Sequence, residues 1–224
     1  MLLVCGNYLA RKGKWQQATE KFLKLARLEP NNHHAYQALA ALYAQMGEVH
    51  SYQGIRTQIL ETFGSTTNDP RIADRMAKSC LILPPDPQDL ARIALLANVS
   101  VTFDAKSAAT PWFQFCKGFA EYRQERFQEA EHLMRKVLEH VSQGSTRDVE
   151  AYMVLAMAQH QSGQPALARD TFDKANQLAQ RRLRDLNSGD IESGWTDWVL
   201  ARFLTREAAE VLRNPPPDRP HPPE

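Results

Sequence analysis

Small and large apolar residues recur along this chain at helical spacing, and the whole pattern then repeats. Gly6…Trp15-Gln-Gln-Ala18…Phe22…Pro30 is followed by Ala40…Gly47…Ile59, by Gly118…Phe127-Gln-Glu-Ala130…Met134 and by Ala156…Gly163-Gln-Pro-Ala-Leu-Ala168…Phe172. The small anchors Gly6, Ala40, Ala77, Gly118 and Ala156 stand 34, 37, 41 and 38 residues apart. Each unit reads as two helices and a short turn. The small residue lets the helices approach closely, and the aromatic or long apolar side chain fills the gap above them. One such hairpin cannot bury its apolar face alone, so neighbours must stack.

Helix punctuation agrees with this frame. Asn31-Asn32 after Pro30, Asp69-Pro70, Asp86-Pro87 and Thr110-Pro111 each offer an N-cap, three of them with proline at the first helical position. Gly13, Gly47 and Gly163 fall where the first helix of a unit must turn into the second. A period of about 34 residues made of two helices resembles the tetratricopeptide repeat. The fold expected is all-α, a right-handed α-solenoid of about five tetratricopeptide hairpins over residues 1–212, with repeats at about 1–32, 33–68, 69–105, 110–147 and 148–187. The third departs most from the pattern, with Leu83-Pro-Pro-Asp-Pro87 in place of a short turn, and a polar connection, 98–110, follows it. A helix at about 194–212, opening on Trp195 and Trp198, is expected to cap the last hairpin and present polar residues outward. The proline-rich 213–224 is expected to be a disordered tail. Leu2, Leu3, Val4 and Cys5 open directly inside a repeat helix, which leads us to expect more chain upstream.

Composition narrows the function. Hydrophobic content of 43% and charge of 24% are those of a folded, water-exposed chain. A net charge of +1 argues against nucleic acid as the partner, Arg181-Arg182-Leu183-Arg184 being the densest basic run. Cys5, Cys80 and Cys116 form no Cys-x-x-Cys pair and read as buried free thiols in a reducing compartment. With no leader-like h-region and no membrane-length apolar run, the expected location is cytoplasmic.

Longer strings carry a more specific resemblance. Leu60-Glu-Thr-Phe-Gly-Ser-Thr-Thr-Asn-Asp-Pro70, Ile72-Ala-Asp-Arg-Met-Ala-Lys-Ser-Cys-Leu-Ile-Leu-Pro-Pro85, Lys117-Gly-Phe-Ala-Glu-Tyr-Arg123 and Leu155-Ala-Met-Ala-Gln-His-Gln-Ser-Gly163 are the main ones, with Met46-Gly-Glu and Ser188-Gly-Asp…Trp195-Thr-Asp-Trp198 beside them. Together they resemble the C-terminal tetratricopeptide region of large bacterial serine/threonine protein kinases of the planctomycete and verrucomicrobial type. The resemblance implies a docking or regulatory region. The strings of the kinase catalytic machinery, His-Arg-Asp and Asp-Phe-Gly among them, do not occur.

No enzyme chemistry is expected. His33-His34 diverge at a helix start, and His132 and His140 lie two turns apart, about 12 Å by helical rise, so neither pair has metal-ligand spacing. No cofactor and no small-molecule substrate are expected. What remains is the concave surface, which the resemblance to tetratricopeptide arrays implies is lined by the first helix of each repeat. There Trp112, Phe115, Phe119, Tyr122 and Arg123 in the fourth repeat, with Met153, Met157 and His160 in the fifth, suit a peptide or protein segment with apolar anchors, and Glu150 and Gln161 of the fifth face the same groove. Trp112 and Phe115 would equally fill the widened joint after the third repeat. The alternative function is self-association; a nucleic-acid-binding helical repeat comes third.

Overall fold

The computed structural model describes residues 1–102, 107–140 and 145–216. Among these residues eleven α-helices and no strand occur: α1 (Leu2–Arg11), α2 (Trp15–Leu28), α3 (His33–Met46), α4 (Val49–Phe63), α5 (Pro70–Leu81), α6 (Pro87–Ser100), α7 (Thr110–Arg123), α8 (Phe127–Glu139), α9 (Thr146–Gln161), α10 (Pro165–Arg182) and α11 (Trp195–Val211). The first ten form five antiparallel hairpins. The odd-numbered helices line up as one row, α3 on α5, α5 on α7 and α7 on α9, and each even helix fills the space between its own partner and the next hairpin. The architecture is an α-solenoid of helical hairpins.

Local chemistry sets the boundaries. Asn32 accepts a hydrogen bond from the His34 amide at 3.2 Å, Asp69 from the Arg71 amide at 2.8 Å, and Asp86 from the Asp89 amide at 2.9 Å. Thr110 is itself helical rather than a cap. Gly13, Gly47 and Gly163 take φ values of 70°, 74° and 78° in the intra-hairpin turns. In the fourth hairpin Glu125 occupies that left-handed position at φ 60°. The long turn of the third repeat is tied down from α4: Tyr52 donates to the Ser79 carbonyl at 2.8 Å, and Arg56 donates to the Leu83 carbonyl at 2.6 Å.

The five small anchors sit at the helix crossings. Ala40, Ala77 and Ala156 are fully buried. A Cβ on Gly6 would lie 2.8 Å from the Phe22 ring, and one on Gly118 would lie 2.6 Å from the Met134 methyl and 2.9 Å from Leu133 Cβ.

Two expectations need correction. Cys5 is exposed, while Cys80 and Cys116 are buried free thiols. The helix expected as an outward cap, α11, does cover the last hairpin, on α9, but it lies on the odd-helix row and reaches across to α3 instead of closing the end of the stack. Its apolar stripe, from Trp195 to Ala208, is buried lengthwise there. Of the expected tail, residues 217–224 lie outside the described residues, as do 103–106 of the 98–110 connection.

Helix packing yields a paired prediction. Gly118→Ala should destabilise the chain by about 1–3 kcal/mol, because the facing side chain and backbone must move. Glu125→Gly should stabilise it by about 0.5–1 kcal/mol by relieving a left-handed backbone. Urea unfolding followed by far-UV circular dichroism measures both, and equal midpoints for the two variants would contradict this account.

Candidate functional site

The odd helices create the concave surface on which the sequence places binding, and α11 lies in it. Trp195 starts the helix against the first repeat: its indole N–H donates to Asn7 Oδ1 at 2.8 Å, and its ring lies 6.3 Å from that of Phe22. One residue on, Gln37 of α3 donates to Thr196 Oγ1 at 3.3 Å. Near the other end Glu207 receives a two-pronged ion pair from Arg123 of α7, whose second N–H also reaches the Leu81 carbonyl at 3.2 Å. Trp195, Trp198, Val199, Ala201, Leu204 and Ala208 are buried along the same helix. Fully burying one such large apolar side chain is worth about 1.5–3 kcal/mol, so α11 is held chiefly by this stripe.

The segment leading into α11 crosses from the last hairpin to the first. Arg11 makes a bidentate pair with Asp190, at 2.9 and 2.8 Å, and the Ile191 amide donates to the Arg11 carbonyl at 3.1 Å. The guanidinium beside Asp190 holds its carboxyl well below the usual range. Trp198 donates to the Arg184 carbonyl at 2.8 Å and so fixes the far side of the same segment.

Beside α11 a cavity of about 240 Å³ stays open, lined among others by Arg71, Asp74, Arg75 and Lys78 of α5, Trp112 of α7 and Asp197 of α11. Behind it Glu150 of α9 is fully buried. Lys78 pairs with Asp74 at 2.9 Å and lies 5.1 Å from the centre of the Trp112 ring, with the Arg147 guanidinium 5.4 Å from the same ring. Arg75 bonds to His33 Nδ1 at 2.9 Å; burial, then the Arg75 charge, lowers His33 to a pKa of about 4. Burial raises the carboxyls of Asp74, Glu150 and Asp197. Burial alone would lower Lys78, but Asp74, Asp197 and Glu150 together raise it above the ordinary lysine value. The arrangement presents charged and hydrogen-bonding groups to the cavity. Among the described residues it brings together no paired nucleophile and base.

The structure puts every expected groove residue on α7 or α9, in the concave row, but few have exposed surface. Phe115, Phe119, Met153 and Met157 are fully buried, and Tyr122 and His160 nearly so. Phe115 stacks on Phe119 with ring centres 5.9 Å apart, and Tyr122 packs against Phe127 at 5.7 Å. Arg123 is committed to Glu207. Trp112 alone of the expected groove residues lines the cavity. Sequence reasoning missed Lys78, Asp74 and Asp197, and it set Glu150 on the groove side of the fifth repeat without placing it at this corner. The i,i+4 pair Asp74–Lys78 was the available signal, and nothing local placed Glu150 and Asp197 beside it.

These carboxyls carry a pH signature. A carboxyl raised in the folded state favours folding most below its unfolded pKa of about 4, and that contribution is lost as pH rises through the raised value. Glu150→Gln should therefore raise the urea midpoint at about pH 7 and change it little at about pH 4. A midpoint that falls at neutral pH would show that Glu150 is needed as an anion.

No family model matches the chain, and no curated protein matches it. Among solved structures it is similar to PilW, a widely conserved type IV pilus biogenesis factor, at 17% identity over 94% of this chain and 88% of that one, with a TM-score of 0.58. It is also similar to a tetratricopeptide repeat protein from Parabacteroides merdae, at 15% identity over 94% and 77%, with a TM-score of 0.55. At these identities the likeness establishes the fold: a tetratricopeptide-type array of helical hairpins.

Proposed function

We propose that the chain is a non-catalytic protein-interaction scaffold whose concave surface receives a segment of a protein partner. The observation that carries this reading is α11, an amphipathic helix already seated along the odd helices. Recognition of a helix in a groove needs apolar anchors at helical spacing and polar contacts at the rim. Trp195, Trp198 and Leu204 supply the first, Glu207 on Arg123 the second. The strings quoted above support a docking or regulatory role for a bacterial serine/threonine kinase, and the lone cysteines fit the cytoplasm of such a cell. Cross-linking tests the surface: a photoreactive residue in place of Trp112, which lines the open cavity, should give protein adducts in cells, whereas one in place of the outward Lys24 should not. Adducts from position 24 alone would sink the concave-surface reading.

Self-association is a second reading, favoured by the exposed apolar side chains Met1, Val4, Tyr8 and Leu28 on the first hairpin. Its mark is a mass that grows with concentration in light scattering and is reversed by Val4→Lys with Tyr8→Lys. A constant monomer mass disposes of it.

A further inference from the structure

The seat of α11 is only partly matched to α11. Both oxygens of the fully buried Glu150, and Oδ1 of Asp74, find no hydrogen-bond partner among the described residues. To this corner α11 brings a third carboxylate, Asp197, although Lys78 is already paired with Asp74 and Arg75 with His33. Glu150, Met153, Met157 and His160 follow at spacings of three, four and three, so they share one face of α9. At the far end of that face His160 Nε2 is buried without a partner among the described residues. Arg202 Nε of α11 is in the same condition. A buried polar group left unpaired costs far more than a paired one gains. The groove thus holds hydrogen-bonding capacity that α11 does not use.

We propose that α11 is an exchangeable occupant, displaced by an amphipathic helix of a protein partner. That helix has two aromatic anchors three residues apart, as Trp195 and Trp198 are, and an acidic residue nine positions after the second, as Glu207 is. Where α11 has Asp197 it carries an amide. The aromatic pair fills the space beside Asn7 and Phe22, and the acid takes Arg123. An amide in place of Asp197 removes the third carboxylate and offers an N–H to Asp74 and Glu150. Because α11 is tethered, a free helix competes against an effective concentration on the order of millimolar. The mismatch at Asp197 is what lets an untethered helix succeed. This inference rests on the concave-surface reading above and names its partner.

The test uses the full chain and a fluorescent synthetic peptide of residues 193–213 carrying Asp197→Asn, followed by anisotropy. Saturable binding is expected, with Kd at least about tenfold lower for the Leu204→Ala chain, whose own helix sits less firmly. The peptide with Asp197 retained should bind more weakly. In a chain with Cys5→Ser, Gln37→Cys and Thr196→Cys, bismaleimidoethane cross-linking should pin α11 and abolish binding that the uncrosslinked chain shows. Should Leu204→Ala lose helix content, Glu207→Ala, at the partly exposed end of the groove, serves as the loosened chain. Equal binding to pinned and unpinned chains, or no binding to a loosened chain of native helix content, overturns exchange. If adducts at position 112 persist in that case, only this inference falls. If they are absent too, the concave-surface reading falls with it.

Discussion

Everything in this architecture depends on the two helices of a hairpin crossing with at most a single Cβ between them. At Gly6 and Gly118 the facing side chains stand inside the space that any larger residue would fill. That closeness sets the tilt of each hairpin, and repeating the tilt brings the odd helices into one row with a concave face. Ala40, Ala77 and Ala156, fully buried, take the corresponding place in the other three hairpins. The third repeat, with alanine and a long turn, needs Tyr52 and Arg56 from the preceding hairpin to hold that turn. Nearest-neighbour support of this kind is how a solenoid tolerates an irregular unit.

The concave face has two characters. One is apolar and is satisfied by the stripe of α11. The other is the charged corner where Asp74, Lys78, Glu150 and Asp197 meet between three helices. Such a corner gives little net stability, since desolvating the charges offsets their attraction. A packed apolar joint would serve a purely structural filler better. On the proposed reading, the polar corner, with Trp112 at its open side, offers a partner its groups for recognition.

The repeat frame was legible because it is local: small residues at the crossings, asparagine and aspartate caps, and glycine at left-handed turns are each written within a few residues. Glu125 escaped because its strained turn position is enforced by the hairpin and not by its own preference. The odd-helix residues Phe115, Phe119, Met153 and Met157 were placed on the right row by the resemblance to the tetratricopeptide repeat, whose first helices line the groove, together with helical periodicity. Their burial was not legible, because periodicity says which face a residue takes and not what lies against that face. The position of α11 depends on contacts across most of the chain, such as Trp195 with Asn7 and Arg11 with Asp190. Its amphipathic pattern suits an outer cap and an inner occupant equally well.

The clasp between Arg11 and Asp190 decides how α11 should be understood. It fixes the connecting segment to the first repeat, so α11 need not anchor itself to be kept near the groove. A helix held nearby loses little when its own contacts are imperfect, because the tether supplies the high local concentration. An exposed apolar concave face would be a liability in water, and the tethered helix lying on it removes that liability. The apolar stripe explains why α11 sits in the groove. The unpaired oxygens of Glu150 and the third carboxylate at Asp197 explain why it need not be the best helix for it. On the exchange reading, the hydrogen-bonding groups that α11 leaves unpaired are those a partner's helix would take up.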